Sequence, residues 1–276
     1  MNHLNSLSFL LTMWLLCVNS SQAAESFFAK DMIRNLFDIK VSEKRVISKE
    51  KKEKSVPFQT HDQNGLQILV WNIYKGDLFN KLPLPLKYED YEFILIQEFS
   101  ENINDSFLPH AHSYFLPTFT WEEKKTGVAL FSKWPLEIVK PIHTYYREPF
   151  ILTPKSTLIA KFKDILLVNT HALNFVSQEE WEFELKNVAK EIRGHSKIIW
   201  GGDFNTWNSS RIQFLKVLMD QLGLEEVIFK KDKRTTHLGY PIDFIFVKGM
   251  KIESSQSLES EDFSDHNPIS VELKLN

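Results

Sequence analysis

Cysteine is almost missing from this chain. The single one, Cys17, sits behind Leu16 in an N-terminal apolar segment. A chain cut after that segment has none, which excludes disulfides and thiol catalysis. A dominant charge is missing as well: 33 Lys plus Arg face 36 Asp plus Glu, for a formal net charge of -3. No global basic field is available to drive non-specific nucleic-acid binding, and only a local basic cleft remains open. Internal repeats and low-complexity tracts are absent too. The N-terminal apolar run of Phe9, Leu10, Leu11, Met13, Trp14, Leu15 and Leu16 is too short to span a bilayer comfortably.

The balance of 43% hydrophobic and 25% charged residues over 276 positions suits one large domain with a sizeable core. The short apolar run followed by Ser21, Gln22 and Ala23 reads as an export signal over residues 1–23, so a periplasmic or secreted chain beginning near Ala24 is expected. Its first residues carry no Lys or Arg, which keeps an uncleaved membrane anchor as the alternative. Residues 24–63 are expected to form an arm. Within it EKRVISKEKKEK, 43–54, reads as a solvated linker or, more sharply, as a patch for membrane phosphates. Residues 64–276 form the expected domain.

Short apolar runs recur from residue 66 onward: LQILVW (66–71), FILIQ (93–97), VALFS (128–132), STLIAKF (156–162), ILLVNT (165–170), KIIW (197–200), DFIFV (243–247) and ISVEL (269–273). Each predicts a strand. Two helices stand between them. Ser177 with Glu180 makes a capping box ahead of the stripe Trp181, Leu185, Val188 and Ile192, with Gly194 as the stop. Ile212, Leu215, Leu218 and Leu222 form a second stripe closed by Gly223. Near-continuous apolar strands are covered on both faces, so packed sheets in an α/β layered fold are expected.

Polar residues cluster at the ends of these runs. Asn72, Glu98, His171 and the pair Asp203 and Asn205 follow their strands, whereas Asp243 and the pair Asp265 and His266 precede theirs. If the later strands run antiparallel to the earlier ones, all of them converge on one edge. Singly, each has a plainer reading as a turn residue, a cap or a charge reaching water. Their conjunction points to a site.

The ordered motifs VWNIYKG, IQEF, GVALFSKWPL, VNTHA, GGDFNTW, IDFIFVKG and SDHNPISVEL resemble those of the endonuclease/exonuclease/phosphatase superfamily, the deoxyribonuclease I-like fold. The combination with PKS and HALNF looks most like its YafD-like bacterial branch. This resemblance implies a four-layer α/β/β/α sandwich of two packed mixed sheets flanked by helices. It also implies Mg²⁺-dependent hydrolysis of a phosphodiester by in-line attack of water, with Mn²⁺ as a possible substitute.

By the same resemblance Glu98 would be the main metal ligand, with Asn72 beside it and Asp265 contributing. Asp203 would orient or deprotonate the water, and Asn205 would hold the water or the developing charge. His266 would bond the phosphoryl oxygen, oriented by Asp243, and His171 would contact the phosphate or assist the leaving group. Lys155, ahead of STLIAKF, and Arg147, in REP, are the candidate phosphate contacts, and KKDKR (230–234) either flanks the groove or is an exposed loop. No inserted helix for abasic-site recognition is visible, so DNA repair is disfavoured. The substrate classes left are nucleic acid, for an exported nuclease, and phospholipid head groups or other small phosphoesters, for a sphingomyelinase-like phosphodiesterase or phosphatase. A catalytically inactive binding protein is the remaining alternative. No protein partner is evident, and a monomer is expected.

Overall fold

Each apolar run marked above becomes a strand, since β-branched and aromatic side chains with two faces to bury fit a pleated sheet. The computed structural model describes residues 40–51, 65–74, 86–101, 103, 110–121, 123–149, 152–259 and 263–275. Its first strands are β1 (Lys40–Val41), β2 (Ile47–Glu50), β3 (Leu66–Asn72), β4 (Phe93–Ser100), β5 (His112–Trp121), β6 (Lys124–Ser132), β7 (Glu137–His143), β8 (Ser156–Phe162) and β9 (Ile165–His171). Then follow α1 (Gln178–Ile192), β10 (Lys197–Asp203), α2 (Ser209–Leu222), β11 (Glu225–Glu226), β12 (Thr236–His237), β13 (Tyr240–Pro241), β14 (Asp243–Lys248), β15 (Lys251–Ser257) and β16 (Ile269–Lys274).

The strands form two mixed sheets. One has 8 strands in the order β1-β5-β6-β4-β3-β16-β15, with β2 also on β5, and the other has 6 in the order β11-β14-β10-β9-β8-β7. Alternation sorts their side chains. Ile68 and Val70 meet Leu95, Leu167, Ile199 and Ile245 between the sheets, while their neighbours Leu69 and Trp71 face outward. Complete burial of one such side chain contributes about 1.5–3 kcal/mol, so this central layer dominates the stability.

The helices α1 and α2 cover the outer face of the second sheet, setting Trp181, Leu185, Leu215 and Met219 against Val168, Trp200, Phe244 and Phe246. The capping box forms as the sequence implies: Ser177 accepts from the backbone N–H of Glu180, and the Glu180 side chain accepts from that of Ser177. Gly223 ends α2 with φ 69°, a left-handed turn that suits glycine. On the outer face of the first sheet Trp71, Ile94 and Phe131 pack with Tyr88 of the short 3₁₀ turn Tyr88–Asp90. The molecule is thus an α/β sandwich; the expected helical layer on this last side rests on residues outside the described ones. So does the expected signal over residues 1–23. Among the described residues no helix is long and apolar enough to cross a membrane.

The arm reading needs a correction. Residues 47–50 do not float in solvent but pair antiparallel with β5, from Ile47 opposite Phe115 to Glu50 opposite His112, and Lys40 and Val41 pair with the same strand. The sheet therefore extends into residues that the sequence pattern assigns to the arm. The charges mislead because, apart from Ile47, which packs on the outer cluster of the first sheet, this strand is exposed and held by backbone pairing, and charged side chains suit an exposed edge. Residues 52–54 of the charged run lie outside the described part. The strands β7 and β15 escape the pattern for a similar reason, as both are edge strands with a single buried residue each. In β5 the disguise is Pro117, which a register shift between Pro117 and Phe119 accommodates.

Candidate active site

Strand direction decides whether the polar residues meet. The strands β3 and β4 run parallel, as do β9 and β10, while β14 is antiparallel to β10 and β16 to β3. The carboxyl ends of the first four and the amino ends of the last two therefore share one edge of the sandwich. Within the second sheet, Asp203 stands opposite His171 on one side and Asp243 on the other.

The paired glycines before Asp203 let this happen. A Cβ on Gly201 would lie 2.6 Å from a methyl of Val70 in the facing sheet, so its absence lets the sheets close. At Gly202, φ is 151° and a Cβ would strike the Thr170 carbonyl oxygen at 1.8 Å. The greasy strand thus ends on the two positions where it lies tightest against its neighbours, and the acid emerges next.

Glu98 reaches the edge by another device. Across β4 and β6 the register passes from Ile96 opposite Ala129 to Phe99 opposite Gly127, so Gln97 and Glu98 share the space facing Val128. This is a β-bulge, with Glu98 at φ 54°. It sends Gln97 into the middle of the sandwich, where its amide donates to Asn169 of β9 at 2.6 Å. Asn169 in turn donates to the carbonyls of Ile96 (3.0 Å) and Ala129 (2.8 Å), tying the sheets together directly beneath Glu98.

At the centre lies the Asp203 carboxylate. Its Oδ1 accepts from the Asn205 backbone N–H at 2.9 Å. Its Oδ2 accepts from the side-chain amides of Asn72 at 3.1 Å and Asn205 at 3.3 Å. Two histidines face the same oxygen, His171 Nε2 at 3.5 Å and His266 Nε2 at 3.9 Å. His171 Nε2 also stands 3.9 Å from Glu98 Oε1. Asn205 is held at φ 52°, another left-handed residue at the edge.

The histidines differ in protonation at neutral pH. Burial, aided by the charges of Lys155 and His266, holds His171 well below its ordinary value, so it is neutral. For His266, burial is outweighed by the Asp243 carboxylate, bonded to Nδ1 at 2.9 Å, and by Asp203 and Asp265; its pKa rises to about 10. Burial, with Asp243 adding repulsion, pushes Asp203 up to about 7 against the pull of His266.

The remaining candidates divide. Lys155 is 11% exposed and lies 3.5 Å from Glu148 Oε1, an acid that also accepts from the Asn174 backbone N–H at 2.9 Å. Burial works against the Lys155 charge, and Glu148, Glu98 and Asp203 together outweigh it. Arg147 instead is exposed beside this pair. Asp265 is exposed at the mouth, where Oδ1 accepts from Ser264 at 3.4 Å. In KKDKR only Arg234 turns inward, bonding Asp232, Glu226 and the Asp243 carbonyl. It buttresses Asp243 from behind, and the lysines stay exposed. Glu148 and the buried Arg211 do not stand out in the sequence. An acid beside Arg147 in a short loop, and a cation opening an otherwise apolar helix stripe, are the signals that mark them.

A cation would find two kinds of oxygen here. Asp203, Asp243 and His266 bring ligand atoms within 4.8 Å of one another. The hydrogen bond between Asp243 and a charged His266 makes that group a poor cation cage, although Asp243 Oδ1 has no hydrogen-bond partner among the described residues. Glu98 fits better: its side chain is 21% exposed, and it lies beside Asn72 at the mouth of the cleft.

A model of the endonuclease/exonuclease/phosphatase family matches residues 69–266, which spans every one of these side chains. The chain belongs to that family. Members of the endonuclease/exonuclease/phosphatase family are generally hydrolases of phosphate esters and typically depend on a divalent metal. The chain is 32% identical over 231 residues to a UPF0294 protein of Vibrio campbellii, covering 79% of this chain and 81% of that protein. Such relatives are those of the YafD-like branch. Among solved structures, a family member from Beutenbergia cavernae has a TM-score of 0.56 at 14% identity, covering 77% of this chain and 72% of the other. The human Nocturnin catalytic domain with bound sulfate anion has a TM-score of 0.51 at 15% identity, covering 77% and 94%. These likenesses establish the fold.

Proposed function

We propose that this protein hydrolyses a phosphodiester by in-line attack of water, with Mg²⁺ as its cation. The observation that carries the reading is the Asp203 carboxylate, ringed by Asn72, Asn205, His171 and His266 at the joined ends of both sheets. Glu98 and Asn72 would hold the ion, with Asp265 at the mouth. A cation there supplies charge neutralisation for the phosphoryl oxygens.

Asp203 takes the proton of the attacking water, because His266 is already charged and bound to Asp243. A base whose pKa sits near neutrality is well matched to this step. His266 donates from Nε2 to a phosphoryl oxygen, where negative charge develops. The Asn205 amide, pinned between Asp203 and the Ala172 carbonyl at 3.0 Å, keeps the water in line. Neutral His171 donates a hydrogen bond toward the departing oxygen, and Lys155 grips the phosphate.

We further propose that the chain acts outside the cytoplasm, on the strength of the apolar run before Ser21 and Ala23, and that it is an endonuclease-like enzyme. One observation favours the second reading, a lipid-head-group phosphodiesterase: Tyr145 and Phe175, 77% and 58% exposed, stand on the loops that carry Lys155 and His171. A panel in Mg²⁺ separates them, pairing plasmid and single-stranded DNA and RNA with sphingomyelin and phosphoinositide vesicles. Plasmid nicking that weakens steeply with salt supports the nuclease. Lipid turnover without nicking supports the second reading, and no turnover of either class removes both.

A further inference from the structure

Arg211 is the one fully buried large cation of the described core, 1% exposed in the first turn of α2. Burying a guanidinium is costly unless its donors are used. Three of its five N–H groups are spent on backbone carbonyls of two loops, while the buried Nε has no partner among the described residues. Nη1 donates to Asn205 at 2.8 Å and to Leu173 at 3.3 Å, and Nη2 donates to Val176 at 2.9 Å. Its guanidinium carbon lies over two indoles, 5.0 Å from the Trp181 ring centre and 4.7 Å from that of Trp207. Burial lowers its pKa to about 10, so it keeps its charge.

The two loops begin at His171 and at Asp203. Asn205, the residue whose carbonyl Arg211 holds, has the left-handed φ of 52°, and its side chain bridges Asp203 and the Ala172 carbonyl. Nothing else described bonds the Asn205 carbonyl to the helix layer beneath it. We propose that Arg211 is a positioning residue: by clamping the Leu173–Val176 segment to the Asn205 carbonyl, it fixes the Asn205 amide over Asp203. It touches no substrate and acts only through Asn205. Lysine can keep the charge but not the planar fork that reaches both loops at once.

The kinetic part of this inference rests on the hydrolase reading; the structural part does not. The test compares Arg211→Lys with Leu218→Ala, a change in the α2 core remote from the clamp, and with Arg211→Met in case lysine is tolerated. Two readouts are taken on the full chain. The first is the side-chain amide resonance of Asn205 in a ¹⁵N-correlated spectrum, which should shift or broaden in both Arg211 variants and stay in place in Leu218→Ala. The second is kcat, expected to fall roughly 10–100-fold in Arg211→Lys with KM changed less than about threefold. In an Asn205→Ala background the Arg211→Lys change should cost almost nothing further in kcat, while still lowering Tm. An unmoved Asn205 resonance in folded Arg211→Lys and Arg211→Met overturns the clamp, as does full additivity with Asn205→Ala. If the wild-type protein turns over no phosphoester, the hydrolase reading fails, and the Asn205 resonance still decides the clamp.

Discussion

The Asn72 amide donates to Asp203 Oδ2 across 3.1 Å, joining the end of a strand in one sheet to the end of a strand in the other. The Asp203 carboxylate is therefore held by both halves of the sandwich. An Asn at this position keeps one oxygen to accept the Asn205 backbone N–H but sets a donor against the Asn72 and Asn205 amides, a local loss at a strand end that should spare the fold. Asp203→Asn is expected to fold with an unchanged circular dichroism spectrum and to lose roughly 10²–10⁴-fold in kcat, with KM little altered. Near-wild-type turnover in that folded variant removes Asp203 as the base.

The pair of Asp243 and His266 makes a second, pH-resolved expectation. Asp243 is the main group holding His266 at about 10, so activity that needs the charged imidazole persists on the alkaline side until that proton leaves. Asp243→Asn withdraws the charge, and the His266 pKa drops toward its ordinary 6.5. The alkaline limb of the kcat/KM profile should therefore move down by roughly 1–3 pH units. Loss should be larger at about pH 8.5 than at about pH 6.5. A uniform loss at all pH values would mean that Asp243 only supports the fold.

Glu98 is expected to set the metal requirement. Glu98→Gln replaces a charged oxygen ligand by a neutral one at the same bulge, so the half-saturating Mg²⁺ concentration should rise roughly tenfold or more, with activity partly recovered at high Mg²⁺. Mg²⁺ titration by calorimetry without substrate gives the same comparison independently of turnover. Equal Mg²⁺ affinity in the two proteins would move the ion to the group formed by Asp203, Asp243 and His266.

Much of this site is legible in the sequence alone. Asn72, Glu98, His171 and Asp203 stand where apolar runs stop, and those runs are plain in β3, β9 and β14 because both faces of each strand are buried. What stays hidden depends on contacts between residues far apart in the chain. The polar character of Gln97 and Asn169 inside apolar runs is a visible signal, yet only the β-bulge reveals that they bond each other across the sheets. Glu148 and Arg211 escape notice because a charge in a short sequence window looks solvated unless its partner is known. The edge strands β2, β7 and β15 escape for the opposite reason: their backbone pairing leaves no apolar pattern to read.

His143 should make the protein acid-sensitive well above the carboxylate range. It bridges the sheets, its Nε2 within 3.0 Å of the Pro117 carbonyl, and burial lowers its pKa to about 4. Between about pH 6.5 and 4 the unfolded chain binds this proton and the folded one does not, so stability falls as pH falls through that window and is fully present above 6.5. Substitution by Gln, which can donate to the same carbonyl without titrating, should flatten the slope. Thermal midpoints at about pH 7 and about pH 5 are expected to differ by roughly 2–6 °C more in the wild type than in His143→Gln. Equal slopes would assign the acid sensitivity elsewhere.

Lys155 and Arg147 are rival phosphate contacts by sequence, and their surroundings separate them. Lys155 is buried against Glu148 and sits in the fields of Glu98 and Asp203, so an incoming phosphate meets a cation already fixed in place and poorly screened. Exposed Arg147 must give up mobility and hydration to do the same work, and salt screens it. Lys155→Met should therefore raise KM, and the inhibition constant of inorganic phosphate, roughly 10–100-fold. Its partner tolerates the loss, because burial already raises the Glu148 pKa and the Asn174 N–H still donates to it. Glu148 can then take a proton rather than remain a lone buried charge. Arg147→Ala should change both constants less than about threefold at roughly 0.15 M salt. Equal losses in the two variants would make the grip a diffuse field of the loop, and a larger loss in Arg147→Ala would reverse the assignment.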